Sequence, residues 1–217
     1  MKTQQKKQKK RNNMIEIIDA KFITSAPSIG AAPETQEQNE VVFMARSNVG
    51  KSSLLNALTN HKGLAKVSST PGKTRLINYF DVTFINRETT EKKIAKFVDL
   101  PGFGYAKVSK SMKHEWEKNL TDYISSRDQI KLFVHLVDCR HPDLDIDTSV
   151  SEFLLTNIKE NQVILQIFTK VDKLNQKEQN ALRLRFPNSM MVSSSKKKGM
   201  QKVISTIYNI LYEEDEA

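Results

Sequence analysis

The chain holds a single cysteine, Cys139. That excludes an intrachain disulfide and fits a reducing cytoplasm. The residue is expected to be a small buried side chain at a strand end rather than a reactive thiol. No apolar run approaches the roughly 20 residues that a membrane-spanning helix needs, so no membrane partner is expected. The N-terminus is basic but has no apolar segment behind it, which does not read as a secretory signal. No internal repeat is visible. The 217 residues suit one medium domain with a sizeable core, with or without tails.

Acidic residues are missing from residues 1–11, which carry six cations, whereas residues 213–216 are all acidic. The formal net charge is +9, so the body between these ends is basic as well. Residues 1–13 are expected to be a disordered basic tail, 14–212 a single domain, and 213–217 an acidic tail. A basic body with a basic arm suits RNA or a ribosomal particle rather than DNA. A merely solvated surface would have the same composition, and charge alone does not choose between them. The protein is expected to be monomeric.

What is present is an alternation of strand-like and helix-like patterns. Residues 14–22 have strand character, and 24–40 read as a connector rich in Ser, Pro, Gly, Gln and Glu. Residues 41–44 form a short buried-strand pattern, followed by a helical pattern at 51–58 with Leu54, Leu55 and Leu58 on one face. Residues 63–75 read as a loop. Residues 76–85 and 93–99 read as an antiparallel pair across a polar turn. Helical spacing returns at 109–127 (Met112, Trp116, Leu120, Tyr123, Ile124), at 147–159 and at 199–212. Strands are expected at 131–138, 162–169 and 189–192. Asn175 and Glu178 have capping-box spacing at the start of a further helix that ends near Pro187. The pattern predicts an α/β fold with a mostly parallel central sheet covered by helices on both faces. In such sheets ligands sit beyond the carboxyl ends of the strands.

The stretch between the first buried strand and its helix is Ala45-Arg46-Ser47-Asn48-Val49-Gly50-Lys51-Ser52-Ser53. It reads A-x-x-x-x-G-K-S, one residue from the phosphate-cradling G-x-x-x-x-G-K-[ST]. Backbone N–H groups of such a loop point inward and make an anion-binding concavity, reinforced by the helix N-terminus. Gly50 is expected to let backbone approach phosphate closely. Lys51 supplies a cation for the β- and γ-phosphates, and the Ser52 hydroxyl a ligand for Mg²⁺. Ala45 stands where the pattern has its first Gly, which is acceptable if its φ is negative.

Further motifs fall at later strand ends. Asp99-Leu100-Pro101-Gly102 can hold Mg²⁺ through water with its carboxylate and offer the Gly102 N–H to a γ-phosphate. Thr169-Lys170-Val171-Asp172 resembles the N-K-x-D guanine signature. An Asp carboxylate accepts from N1–H and N2–H₂ of guanine, a donor pair adenine lacks. Val192-Ser193-Ser194 is placed to present a backbone N–H to guanine O6. Thr74 is the candidate for a Mg²⁺- and γ-phosphate-sensing threonine, with Thr70 as competitor. Gly72, Lys73, Arg75 and Leu76 around it are counted with the nucleotide-contacting residues. Lys51, Thr74 and Gly102 are the candidate catalytic set. Phe103 follows Gly102 where many GTPases have a water-orienting Gln, so intrinsic hydrolysis is expected to be slow. Asn48 either helps hold K⁺ near the β,γ-bridge or caps the loop by a hydrogen bond.

Taken in order, the residues 45–56, Thr70-Pro71-Gly72-Lys73-Thr74, Asp99 to Ala106 (D-L-P-G-F-G-Y-A), Asp138-Cys139-Arg140 and Thr169-Lys170-Val171-Asp172 resemble the EngB/YihA/YsxC GTPases, over roughly residues 15–212. The resemblance implies a Ras-like domain that binds GTP and GDP, with Mg²⁺ held through Ser52 and Thr74. It also implies a role in large ribosomal subunit assembly and a link to cell division and septation. Two other readings stand beside it. A P-loop kinase or ATPase needs an acceptor site or an arginine lid, of which the sequence has no clear sign. A nucleotide-independent RNA-binding module would use the fold only to carry a basic surface.

Overall fold

The computed structural model describes residues 14–34, 38–65, 76–103, 118 and 120–213. Seven strands form one sheet in the order β1-β3-β4-β2-β5-β6-β7. They are β1 (Ile15–Ala26), β2 (Glu40–Ala45), β3 (Ile77–Asn86), β4 (Lys92–Asp99), β5 (Ile130–Asp138), β6 (Val163–Thr169) and β7 (Met190–Met191). The pairs β4/β2, β2/β5, β5/β6 and β6/β7 are parallel. β3 runs antiparallel to both β1 and β4. The helices are α1 (Lys51–Leu58), α2 (residues 120–126), α3 (Asp145–Asn157), α4 (Gln176–Arg185) and α5 (Met200–Tyr212).

Central strands bury both faces, so their sequences are apolar at consecutive positions rather than alternating. In β2, Val41, Phe43 and Ala45 face a core shared with Leu54, Leu55 and Leu58 of α1 and with Val203, Ile207 and Leu211 of α5. Val42 and Met44 face the opposite core, with Leu120, Tyr123 and Ile124 of α2 and Val150 and Leu154 of α3. Each fully buried Val, Leu, Ile or Phe contributes roughly 1.5–3 kcal/mol of transfer free energy. This two-sided burial therefore fixes β2, and the loop that leaves it, between two layers. α4 packs on a smaller cluster with Val137, Phe168 and Leu182. Its start has the expected capping box: the Asn175 side chain accepts from the Glu178 N–H at 3.0 Å, and the Glu178 carboxylate accepts from the Asn175 N–H at 2.7 Å.

β1 is longer than its sequence pattern predicts. The segment read as the start of a connector continues the strand to Ala26, whose partner is Ile77. Ser25 donates to the Asn78 side chain at 2.6 Å. Ser and Ala are weak strand formers, and pairing with β3 overrides that preference. β7 is shorter than expected, at two residues. Of the helix expected at 109–127, Leu120, Tyr123 and Ile124 are buried, while Met112 and Trp116 lie outside the described residues.

Candidate functional site

β4, β2, β5, β6 and β7 all point their carboxyl ends to one edge of the sheet. β2 ends in Ala45, which is fully buried in the strand. The left-handed residues of the loop that follows are Asn48 (φ 65°) and Gly50 (φ 108°). Ala45 is not among them, as its place in the motif requires. Gly50 is the N-cap of α1, with no side-chain cap bond, so the first-turn amides point out with the positive end of the helix dipole. The reason for Gly50 is conformational rather than spatial. Among the described residues a Cβ there would meet nothing nearer than Lys170 Cε at 3.9 Å, but its φ suits glycine.

The Lys51 ammonium ion-pairs with Asp99 at the end of β4 and donates to the Leu100 carbonyl at 2.6 Å. Asp99 is 4% exposed. The segment after Asp99 runs alongside the end of β2. Leu100 N donates to Phe43 O at 3.2 Å, Phe103 N to Ala45 O at 3.1 Å, and Ser47 N to Phe103 O at 3.2 Å. Gly102 lies against the phosphate-type loop so closely that a Cβ would sit 3.1 Å from Ser47 Oγ. Phe103 is buried, with its ring 6.1 Å from that of His135.

Beneath this segment is a buried polar cluster. Arg46 Nε donates to Asp147 Oδ2 at 3.1 Å, and Ser151 Oγ lies 3.1 Å from His135 Nδ1. Among the described residues, Arg46 Nη2, His135 Nε2 and Asp147 Oδ1 are buried without a hydrogen-bond partner. Burial lowers the His135 pKa to about 4. The Asp147 carboxylate, 3.9 Å away, is too distant to offset that desolvation. Burial also raises the Asp147 pKa, against the Arg46 charge, which lowers it.

The other end of the edge is built by β5, β6 and β7. Thr169 Oγ1 donates to the Val49 carbonyl at 2.7 Å and lies 3.3 Å from the Val137 carbonyl. Lys170, left-handed at φ 59°, donates to the Asn48 carbonyl at 2.6 Å and to Asp138 Oδ2 at 2.9 Å. Two side chains of the Thr-Lys-Val-Asp stretch thus hold the phosphate-type loop. Asp138 also takes two bonds from the Arg140 guanidinium, at 2.9 and 2.7 Å. Burial acts to raise its pKa, but the bonds from Arg140 and Lys170 win and hold it well below the usual carboxylate range. Burial pushes the neighbouring Cys139 thiol up to about 11, so the thiol is protonated near neutrality. Asp172 accepts from Ser193 Oγ at 2.5 Å, a bond that lowers its pKa. Val171 N donates to Val192 O at 3.1 Å.

Ala45 to Ser53, Asp99 to Gly102, Thr169 to Asp172 and Val192 to Ser194 thus all lie along one edge of the sheet. Thr70, Gly72, Lys73, Thr74 and Arg75 lie outside the described residues. Leu76 is 40% exposed just before β3. Val192 and Ser193 spend their amides inside the fold, on Phe168 O at 2.8 Å and Lys198 O at 3.0 Å. Neither is free to serve a base. Sequence reasoning gave Asp138 no role, although a carboxylate closing an apolar strand beside Cys-Arg was the available signal. The Arg46–Asp147–His135 cluster had no local signal, because its members come from three separate elements.

A family model described as a 50S ribosome-binding GTPase matches residues 40–170. A probable GTP-binding protein EngB of Aliarcobacter butzleri is 51% identical over 197 residues, covering 90% of this chain and 98% of the relative. Its counterpart in Campylobacter jejuni serotype O:2 is 49% identical over 195 residues, covering 89% and 96%. Among solved structures, a probable GTP-binding protein engB has a TM-score of 0.59 at 22% identity, covering 81% of this chain and all of that one. Era in complex with MgGDPNP and nucleotides 1506–1542 of 16S ribosomal RNA has a TM-score of 0.56 at 20% identity, covering 84% and 60%. These two structural likenesses bear on the fold alone, and they agree with the P-loop GTPase architecture read from the sheet. The chain belongs to the EngB family of GTP-binding proteins, with the P-loop GTPase domain that family carries.

Proposed function

We propose that the edge of the sheet binds one guanine nucleotide along its length and hydrolyses GTP slowly, as a molecular switch that acts on the large ribosomal subunit precursor. The observation that carries this reading is the pair of bonds from Thr169 to Val49 and from Lys170 to Asn48, at 2.7 and 2.6 Å. They hold a base-reading element and a phosphate-binding element as one unit. In this reading the amides of the 46–53 loop and Lys51 take the phosphates, and Asp172 takes the N1–H and N2–H₂ edge of guanine. Lys170 packs its stem over the base. With Val192 and Ser193 amides engaged, the O6 contact falls to Ser194 in the same turn. Residues 72–76 count among the nucleotide-contacting residues, and Thr74 and Gly102 sense the γ-phosphate.

One hydroxyl, Ser52, and one acidic side chain, Asp99, suit Mg²⁺, which keeps waters and phosphate oxygens in its shell and needs few protein ligands. Ser52 and Thr74 would hold it directly and Asp99 through water. When bound, Mg²⁺ neutralises charge on the β- and γ-phosphate oxygens. Asp99 engages Lys51; were its carboxylate to join the shell of a bound Mg²⁺, the ammonium would be left for phosphate. Phe103 is 5% exposed and apolar, so it cannot orient water, and a low intrinsic rate follows; K⁺ near Asn48 is a candidate accelerator. The GTPase domain takes residues 14–212 between a basic and an acidic tail, as a cytoplasmic monomer. A septation defect on depletion would follow from failed subunit assembly.

The test is sedimentation with isolated large subunits under GDP, a non-hydrolysable GTP analogue and no nucleotide, alongside phosphate release. Binding is expected with the analogue and to weaken steeply with salt. Equal binding in all three states would favour a nucleotide-independent RNA-binding module instead.

A further inference from the structure

We propose that the turn at 193–198 is an RNA-phosphate docking surface whose occupancy is transmitted through Ser193 to the carboxylate of Asp172. This rests on the ribosomal reading above. Lys196, Lys197 and Lys198 are consecutive and exposed. Among the described residues none of the three forms an ion pair. Lys197 donates to the Asn60 side chain and Lys198 to that of Gln179, each at 3.0 Å. Both partners are neutral amides, so neither ammonium loses its charge. By contrast Lys51, Lys96, Lys159 and Lys170 each face a carboxylate.

The two amide contacts also spread the cations. One reaches the turn after α1, where exposed Lys62 adds another charge, and the other reaches α4. The backbone beneath them is pinned. Ser193 and Lys198 exchange both N–H···O bonds at 3.0 Å. Lys197 holds φ 50° although it is not glycine. Gly199 has φ 84°, and a Cβ there would sit 2.7 Å from Met191 O. A fixed turn presents its charges with little ordering cost, and compact ammonium groups suit single phosphate oxygens.

The same turn holds the base-reading group. Lys196 N lies 3.2 Å from Ser193 Oγ as donor, and that hydroxyl donates to Asp172 Oδ1 at 2.5 Å. Load on the lysines therefore reaches Asp172 through the Ser193 hydroxyl, which also lies 3.1 Å from that of Ser195. Coupling of this kind is reciprocal: if RNA alters guanine-nucleotide affinity, the nucleotide alters RNA affinity by the same factor.

The experiment is lysine footprinting of the full chain with an acetylating reagent, read by mass spectrometry. It is run free, with large ribosomal subunits plus GTP analogue, and with deproteinised RNA from those subunits. Acetylation of Lys196, Lys197 and Lys198 is expected to fall at least threefold with both probes, while Lys92 and Lys131, which lie at the opposite ends of their strands, stay unchanged. Protection by subunits but not by deproteinised RNA would make the partner a ribosomal protein and overturn the proposal. If subunits bind and protect other lysines, this surface is wrong while the ribosomal reading stands. If the wild-type chain binds no subunits in any nucleotide state, both fall. A Lys196→Gln/Lys197→Gln/Lys198→Gln variant tests the coupling: subunits should change mant-GDP release at least twofold in the wild type and not in the variant. An equal response in both would refute transmission through Ser193.

Discussion

Lys51 spends its charge on Asp99 and on the Leu100 carbonyl at 2.6 Å, so phosphates must compete with two existing acceptors. Charged hydrogen bonds are worth about 1.5–3 kcal/mol each. Lys51→Ala is therefore expected to weaken mant-GTP binding by about tenfold to more than a hundredfold. It also leaves Asp99 nearly buried without its cation, which lowers the melting temperature of the nucleotide-free protein. Unchanged mant-GTP affinity would remove Lys51 from the phosphate site. Individual residues were unevenly legible. Lys51, Asp99 and Asp172 announce themselves because a charged group at an apolar strand end has few bland uses. The need for Gly50 was legible, but its reason lay in a φ of 108° that no sequence displays.

Among the elements, β6 and its following turn do the most to make two half-sites into one. The Thr169 hydroxyl donates to the Val49 carbonyl at 2.7 Å and reaches the Val137 carbonyl at 3.3 Å. Thr169→Val keeps the shape and removes the donor. Leaving the buried Val49 carbonyl without this donor costs roughly 1–3 kcal/mol. The expected result is a lower unfolding midpoint in urea and faster mant-GDP release in stopped flow, since the base turn and phosphate-type loop lose a tie. Identical release rates would mean the two loops do not act together. Element identities were readable wherever burial imposes a period, as in α5, where Val203, Ile204, Ile207, Tyr208 and Leu211 are buried. Element ends were not. The last two residues of β1, Ser25 and Ala26, have little strand preference and are strand because β3 is alongside.

At the scale of the molecule, His135 connects the site to stability. It is 1% exposed on β5 between Phe103 and α3, and its pKa falls from 6.5 to about 4 on burial. The unfolded chain then binds the proton more readily than the folded one between those values. Stability is full above about pH 6.5 and declines as pH falls toward 4, by roughly 2–3 kcal/mol between pH 7.5 and 4.5. Urea unfolding at the two pH values should show this difference, and His135→Gln should shrink it. Equal pH slopes for wild type and variant would place the acid sensitivity elsewhere.

The central claim is that both ends of one sheet edge grip a single guanine nucleotide, and it is tested most directly at Asp172. Asparagine there presents an amide donor where guanine needs an acceptor, while xanthine offers a carbonyl at C2. Competition of GTP, XTP and ATP against mant-GTP in the wild type, and against mant-XTP in Asp172→Asn, gives the ranking. The expected result is GTP far ahead of XTP and ATP in the wild type, with XTP overtaking GTP in the variant. A variant that keeps the wild-type preference for GTP would contradict the assignment of the base site to this turn.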